Sequence, residues 1–175
     1  MENPLIRAAR PEDLPGILDI YNEVVENSTA IFALLPVTLD DRLAWFRQRR
    51  EAGYPVMVAL EDERVAGYSS FGEFRGAWSG YRYSVEHSVH VHRDFRGRGL
   101  GSALVRALLE PAAAMGKHVM IGAIDAANVP SLRLHDRLGF QQVGHFREVG
   151  HKFGHWLDLV FVQRFLDPPG SPRTA

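Results

Sequence analysis

The apolar positions along this chain change period several times, and each change marks an element. Residues Leu5 to Ala8 form a short candidate strand, after which Arg10-Pro11-Glu12-Asp13 places a proline and two acids at a helix start. Leu14, Ile17, Leu18, Tyr21, Val24 and Val25 then keep helical spacing. The period is lost over residues 27–36, where Phe32, Leu34 and Leu35 are expected exposed or half-buried near a site. Thr38-x-x-Asp41 reads as a capping box for a second helix, with Leu39, Leu43 and Phe46 on one face and Gly53 at its end.

Two strand-like runs, 56–60 and 65–74, flank the charged turn 61–64 and predict an antiparallel hairpin. A glycine-bounded loop over 76–80 leads to a strand over 81–92, which ends by alternating Val89 and Val91 against Ser88, His90 and His92. An arginine- and glycine-rich loop follows and opens an apolar-periodic helix that Pro111 should kink or shorten. Residues 119–124 read as a buried strand. Asn128-Val129-Pro130-Ser131 introduces a short helix carrying Leu132, Leu134 and Leu138, stopped by Gly139. Residues 143–149 and 156–164 form a closing strand pair, and 167–175 is expected to be disordered. The order predicts an α/β chain, one domain over 1–166, with a central mixed sheet and helices on both faces.

Composition narrows the chemistry. A net charge of −1 over 175 residues gives no general attraction to nucleic acid or an anionic membrane, so neither is an expected partner and basic residues matter only locally, at the loop before the central helix. The absence of cysteine excludes disulfides, thiolate metal sites and a cysteine acyl-enzyme. The start, MENPLIRAARPED, is charged too early for a secretory signal, and no apolar run is long enough to span a bilayer; a cytoplasmic location is expected. His90 with His92, and His151 with His155, are the only histidine pairs at suggestive spacing. Glycines 150 and 154 argue against a helix there, no H-E-x-x-H occurs, and no metal is expected.

The loop Arg96-Gly97-Arg98-Gly99-Leu100-Gly101 carries the strongest signal. At a helix start the first N–H groups lack partners and the peptide dipoles leave partial positive charge, so a pyrophosphate can sit on the amides where glycines leave room. A Walker loop is absent. A dinucleotide fingerprint is missed by one position, since Ser102 stands where the third small residue belongs. The pattern [Q/R]-x-x-G-x-[G/A] fits without adjustment and resembles the acyl-CoA loop of the GNAT superfamily of N-acyltransferases. A second segment, Asn128-Val-Pro-Ser131-Leu-Arg-Leu-His135-Asp-Arg-Leu-Gly139-Phe140, resembles that superfamily's N-x-x-[AS]-x-x-[LF]-Y-x-x-x-G-F signature, with His135 in place of the tyrosine. Tyr83-Ser-Val-Glu86-His-Ser-Val-His-Val and His151-Lys-Phe-Gly-His155-Trp156 are similar to the phosphinothricin and methionine sulfoximine acetyltransferase branch.

The resemblance implies the GNAT fold, with a mostly antiparallel sheet, acetyl-CoA as co-substrate, a small amino acid as acceptor and a homodimer. It implies a cofactor site of Ser88, Val89, His90, Arg96, Gly97, Arg98, Gly99, Leu100, Gly101, Asn128 and Ser131, with Asn128 on the pantetheine arm. His135 would serve as leaving-group acid. A half-buried Glu86 would serve as base for the ammonium of an amino acid. The acceptor is expected against Phe32, Arg75, Gly76, Tyr83, Val85, Glu86 and His87, with Arg75 gripping its carboxylate and Trp78 helping to wall the pocket. Two other readings stay open at this point: a nicotinamide-dependent oxidoreductase using the glycine loop, and a non-catalytic acyl-CoA sensor.

Overall fold

The computed structural model describes residues 5–166; the tail over 167–175 lies outside the described residues. In chain order the elements are β1 (Leu5–Ala8), α1 (Leu14–Asn27), α2 (Leu39–Glu51), β2 (Val56–Glu61), β3 (Arg64–Glu73) and β4 (Ser84–Val91). They continue as α3 (Leu100–Ala114), β5 (Val119–Asp125), α4 (Val129–Arg137), β6 (Gln141–Lys152) and β7 (His155–Phe165). The strands form one seven-stranded sheet in the order β1-β2-β3-β4-β5-β7-β6. Every neighbouring pair is antiparallel except β4 with β5.

Helices cover both faces, as the alternation requires. Leu14, Ile17 and Ile20 of α1 and Phe46 of α2 pack on Val56, Val58 and Tyr68. On the other face Val105 and Leu108 of α3 meet Phe71, Val85 and Met120. The capping box of α2 forms as expected, with Thr38 and Asp41 bonding each other's backbone. Two boundaries near the middle of the chain differ from expectation. The helix α3 runs on through Pro111 to Ala114, the proline costing one ladder bond without ending the helix. β4 starts at Ser84 rather than Tyr81, which belongs to a 3₁₀ turn over Ser79–Tyr81.

The feature that positions a site is where β4 and β5 part. They pair over only four rungs, Ser84–His87 against Val119–Gly122. Beyond that point β4 stays with β3 as far as Val91, and β5 stays with β7 as far as Asp125. Ser88 to Val91 therefore turn one edge of alternating N–H and C=O groups into a wedge-shaped gap. Gly122, on the last shared rung, leaves room for the neighbouring side chains: a Cβ there would lie 3.0 Å from Nε2 of His87 and 3.1 Å from Val162.

The segment after α1 bridges the gap. Lys152, buried at the end of β6, donates to the carbonyls of Ser28 (2.8 Å) and Ile31 (2.7 Å), and Thr29 bonds Asp125 at the end of β5. Phe32 packs where a side chain on Gly150 would otherwise be.

Candidate active site

Two cavities open on the wedge. The larger, about 600 Å³, runs from the glycine loop along the end of β4 to Asn128, Pro130 and Ser131 at the start of α4. The second, about 490 Å³, lies between α1, α2 and the sheet and is lined by Tyr21, Phe32, Arg42, Trp45, Tyr68 and Glu86, among others. Ala30, Val89, His90, Asp125, Asn128 and Ser131 line both, so the two volumes meet at the unpaired edge of β4.

The loop before α3 is built for an anion. Gly99 caps the helix at φ +84°, and Gly97 sits at φ +79°; these are left-handed conformations that a side chain strains. A Cβ at either position would meet nothing within 4 Å, so open space lies before them. Among the described residues, the N–H groups of Gly97, Gly99, Leu100, Gly101 and Ser102 donate to no protein oxygen. Gly101 serves packing instead: its Cβ would come 2.9 Å from Leu134 of α4.

Both loop arginines are paired with acidic side chains. Arg96 pairs with Glu23 (2.9 Å) and donates to the Val91 carbonyl, while Arg98 pairs with Glu61 (2.8 Å) and donates to the Asp94 carbonyl. They brace the loop against α1 and β2, and Arg96 lines the larger cavity beside the bare amides, which can donate to an anion.

Asn128 is the N-cap of α4, its side-chain oxygen accepting from the Ser131 N–H at 3.2 Å. That bond fixes which end is oxygen, and leaves the amide NH₂ without a protein acceptor among the described residues. A cap and a ligand donor are thus compatible in one side chain.

His135 is buried, only 2% exposed. Its Nδ1 lies 2.8 Å from the Ser131 carbonyl, which can only accept, so Nδ1 carries the proton. In the neutral ring Nε2 is then an acceptor, and it faces Nε2 of His87 at 3.2 Å. His87 must donate there, which leaves its own Nδ1 a buried acceptor with no partner. The rings stack with centroids 5.0 Å apart. Burial, and then the neighbouring His135 and His90, push His87 down to about 3; burial also lowers His135, against the pull of the Ser131 carbonyl. His135 therefore does not stand as a ready acid in this arrangement, because both nitrogens are engaged and the charged form is disfavoured.

Glu86 lines the second cavity on the sheet face covered by α1 and α2, and burial raises its carboxyl above the ordinary carboxylate range. Ser88, Val89, His90, His87 and Phe32 share that cavity. His90 is held neutral, pushed down to about 4 by its enclosure and then by Arg42 and Arg96.

Five expected acceptor contacts lie elsewhere. Val85 points into the core beside α3 and is fully buried, since side chains of β4 alternate and His87 and Val89 share its face. Arg75 stacks on Trp78 (4.9 Å) and Tyr81 (5.4 Å) in the exposed loop after β3. Tyr83, 52% exposed, lies under Arg82, and Gly76 and Trp78 are exposed in the same loop. None of these lines either cavity of the chain, because the loop sits at the closed end of the β4–β5 pair.

The sequence reading passed over Tyr21, Arg42, Trp45 and Tyr68 as site residues. A signal was present: α2 carries Arg42, Trp45 and Arg49 at i, i+3 and i+7, a stripe that an ordinary amphipathic helix would fill with apolar residues.

Comparison with known proteins agrees with this geometry. The description "Acetyltransferase (GNAT) family" matches residues 17–140. The L-methionine sulfoximine/L-methionine sulfone acetyltransferase of Pseudomonas aeruginosa is 52% identical over 167 residues, covering 95% of this chain and 96% of the relative. The phosphinothricin N-acetyltransferase of Streptomyces coelicolor is 37% identical, over 92% of this chain and 95% of the relative. Among solved structures, yncA of Salmonella typhimurium, an acetyltransferase with its cofactor acetyl-CoA, superposes with a TM-score of 0.92 at 44% identity, covering 99% of this chain and all of that one. With a cleft of bare amides joined to a second cavity at a strand edge, and with these relatives over nearly its whole length, the chain belongs to the GNAT family of acetyltransferases.

Proposed function

We propose that this chain moves the acetyl group of acetyl-CoA to the α-amine of a small amino acid of the methionine sulfone, methionine sulfoximine or phosphinothricin kind. It does so in the cytoplasm, as a homodimer of one-domain chains. One observation carries the reading: the anion-binding cleft and the acceptor cavity meet at Val89, His90, Asn128 and Ser131, with Glu86 lining the acceptor side. The two relatives supply the acceptor class.

Acetyl-CoA supplies an acyl carbon activated by a thiolate leaving group. The amides of Gly97 to Ser102 hold its diphosphate, the Asn128 NH₂ donates to the pantetheine arm, and N–H groups on the open edge of β4 donate to the thioester carbonyl. Glu86 takes one proton from the ammonium, directly or through water, and the freed amine forms the C–N bond as the C–S bond breaks. The second nitrogen proton passes to the thiolate, so the products are an amide, free thiol and one released proton. His135 is given the role of holding Ser131 and His87 in the wall of the site.

The dimer reading is supported by the outer strand of the sheet. Val143, Phe146 and Val149 on β6 and Trp156 on β7 are each more than half exposed, which is the kind of apolar edge that a second copy covers. The test of the chemistry is release of free thiol from acetyl-CoA on adding L-methionine sulfone, with the N-acetyl product identified by mass. Stabilisation by acetyl-CoA with no thiol from a broad panel of amino acids would leave a sensor in place of an enzyme.

A further inference from the structure

Asp125, the last residue of β5, is a buried carboxyl that the transfer chemistry leaves unused. It is 4% exposed, and no cation pairs with it among the described residues. Its donors come from the two segments that flank the wedge. Oδ2 accepts from the hydroxyl of Thr29, 96 residues away in the chain, and Oδ1 accepts from the Ala127 N–H at 2.9 Å. The Asp125 carbonyl accepts from the Asn128 N–H at 2.8 Å, which closes the turn that presents Asn128 as the cap of α4. A carboxyl withheld from water depends on such donors, so Thr29 and the Asn128 turn are held relative to each other.

The segment carrying Thr29 has no ladder of its own, since residues 28–38 lie in neither helix nor strand. Side-chain bonds therefore set its place: Lys152 fixes it to the end of β6, and Thr29 fixes it to the end of β5. The segment also changes sides as it runs. Ser28 and Thr29 line the coenzyme cleft, Ala30 lines both cavities, and Ile31 and Phe32 line the acceptor cavity alone. Asp125 lines both cavities as well. A ligand filling the cleft bears on the same short piece of chain whose next two residues wall the acceptor.

We propose that Asp125 is a positioning residue: through Thr29 it links coenzyme binding at Asn128 to the wall of Ala30, Ile31 and Phe32, so that the acceptor binds more tightly to the coenzyme-loaded chain. This rests on the acetyl-transfer reading and adds to it a coupling between its two ligands. Coenzyme in the cleft fixes the Asp125 turn and the start of the segment, and the wall beyond then costs less to order when the acceptor arrives. By linkage, the acceptor raises coenzyme affinity by the same factor.

The experiment titrates L-methionine sulfone calorimetrically into the bare chain and into chain saturated with coenzyme A, which carries no acetyl group to transfer. Wild type, Thr29→Val and Thr29→Ser are compared. In the wild type, coenzyme A is expected to tighten sulfone binding by about 10-fold, within the usual range for coupled sites. Thr29→Val keeps the shape of the side chain without its hydroxyl and should leave a tightening of about 2-fold or less, while Thr29→Ser should retain most of it. A purely structural role for the bond would lower the melting temperature of Thr29→Val and leave the ratio unchanged. A ratio in Thr29→Val equal to that of the wild type overturns the inference, as does a wild type that shows no tightening or no sulfone binding. Thiol release from acetyl-CoA, measured alongside, tests the enzymatic reading by itself. A wild type that shows the coupling, lost in Thr29→Val, but releases no thiol keeps Asp125 in this role and ends the enzymatic reading.

Discussion

Glu86 is a carboxyl on a strand whose neighbours withhold water, and that environment sets its chemistry. With its pKa raised by burial, it holds a proton at pH values where an exposed glutamate has lost one. A base must be deprotonated to act, so kcat/KM should fall as pH drops through this raised value and recover above it. Glu86→Gln should lower kcat by about 10²- to 10⁴-fold and erase that acidic limb. Acetyl-CoA affinity should be retained, since Glu86 does not line the coenzyme cleft. A pH–rate series on both proteins checks this, and an unchanged acidic limb in the variant removes Glu86 as the base. At the same scale, the identity of His135 was readable from the sequence but its proton was not. The direction of that hydrogen bond depends on the Ser131 carbonyl and on His87 across the sheet.

The segment from β4 through the loop into α3 was legible because its behaviour is local. Alternation sets the strand faces, Gly97 and Gly99 take left-handed conformations, and the helix start leaves its amides free, all within about two turns of chain. The helix α2 was less legible. Its capping box was read correctly and Leu43 and Phe46 face the core as expected, but Leu39 is 41% exposed and Arg42 faces a cavity over the sheet. Beside the apolar floor of Val56 and Val58 the sheet beneath offers Gly72 and a cavity, and only the fold brings these together.

The segment after α1 shows the same dependence. Residues 28–32 supply Ala30 to both cavities and Ile31 and Phe32 to the acceptor side, and their hold on the sheet runs through Lys152. Lys152→Met should lower stability by about 1–3 kcal/mol, the cost of leaving buried carbonyls unpartnered, and should raise KM for the acceptor several-fold. Lys152→Arg should recover part of both. Thermal unfolding and steady-state kinetics measure the two effects. A melting point that drops while KM stays put would show that the segment keeps its place without the lysine.

At the scale of the whole molecule, the order of strands and helices followed from period and punctuation, and the closing strand pair was placed correctly. β6 proved longer than the expected 143–149, running Gln141–Lys152 with two register shifts that interrupt its alternation. Its outward apolar residues make the dimer reading testable. Light scattering should give twice the chain mass for the wild type, and Phe146→Glu combined with Val149→Glu should shift it toward a single chain with the fold intact, because both side chains are exposed. A single-chain mass for the wild type at micromolar concentration would remove the homodimer.

By itself the order of amino acids determined where the chain coils, alternates and turns, and where a helix offers bare amides to an anion. Those properties depend on residues a few positions apart. Tertiary structure alone decided that β4 and β5 separate after four shared rungs, the last at Gly122, that His135 meets a partner 48 residues away, and that Arg42 hangs over the sheet with no carboxylate paired to it among the described residues. Each of these is a contact between distant segments, and its energy exists only once packing has brought them within reach.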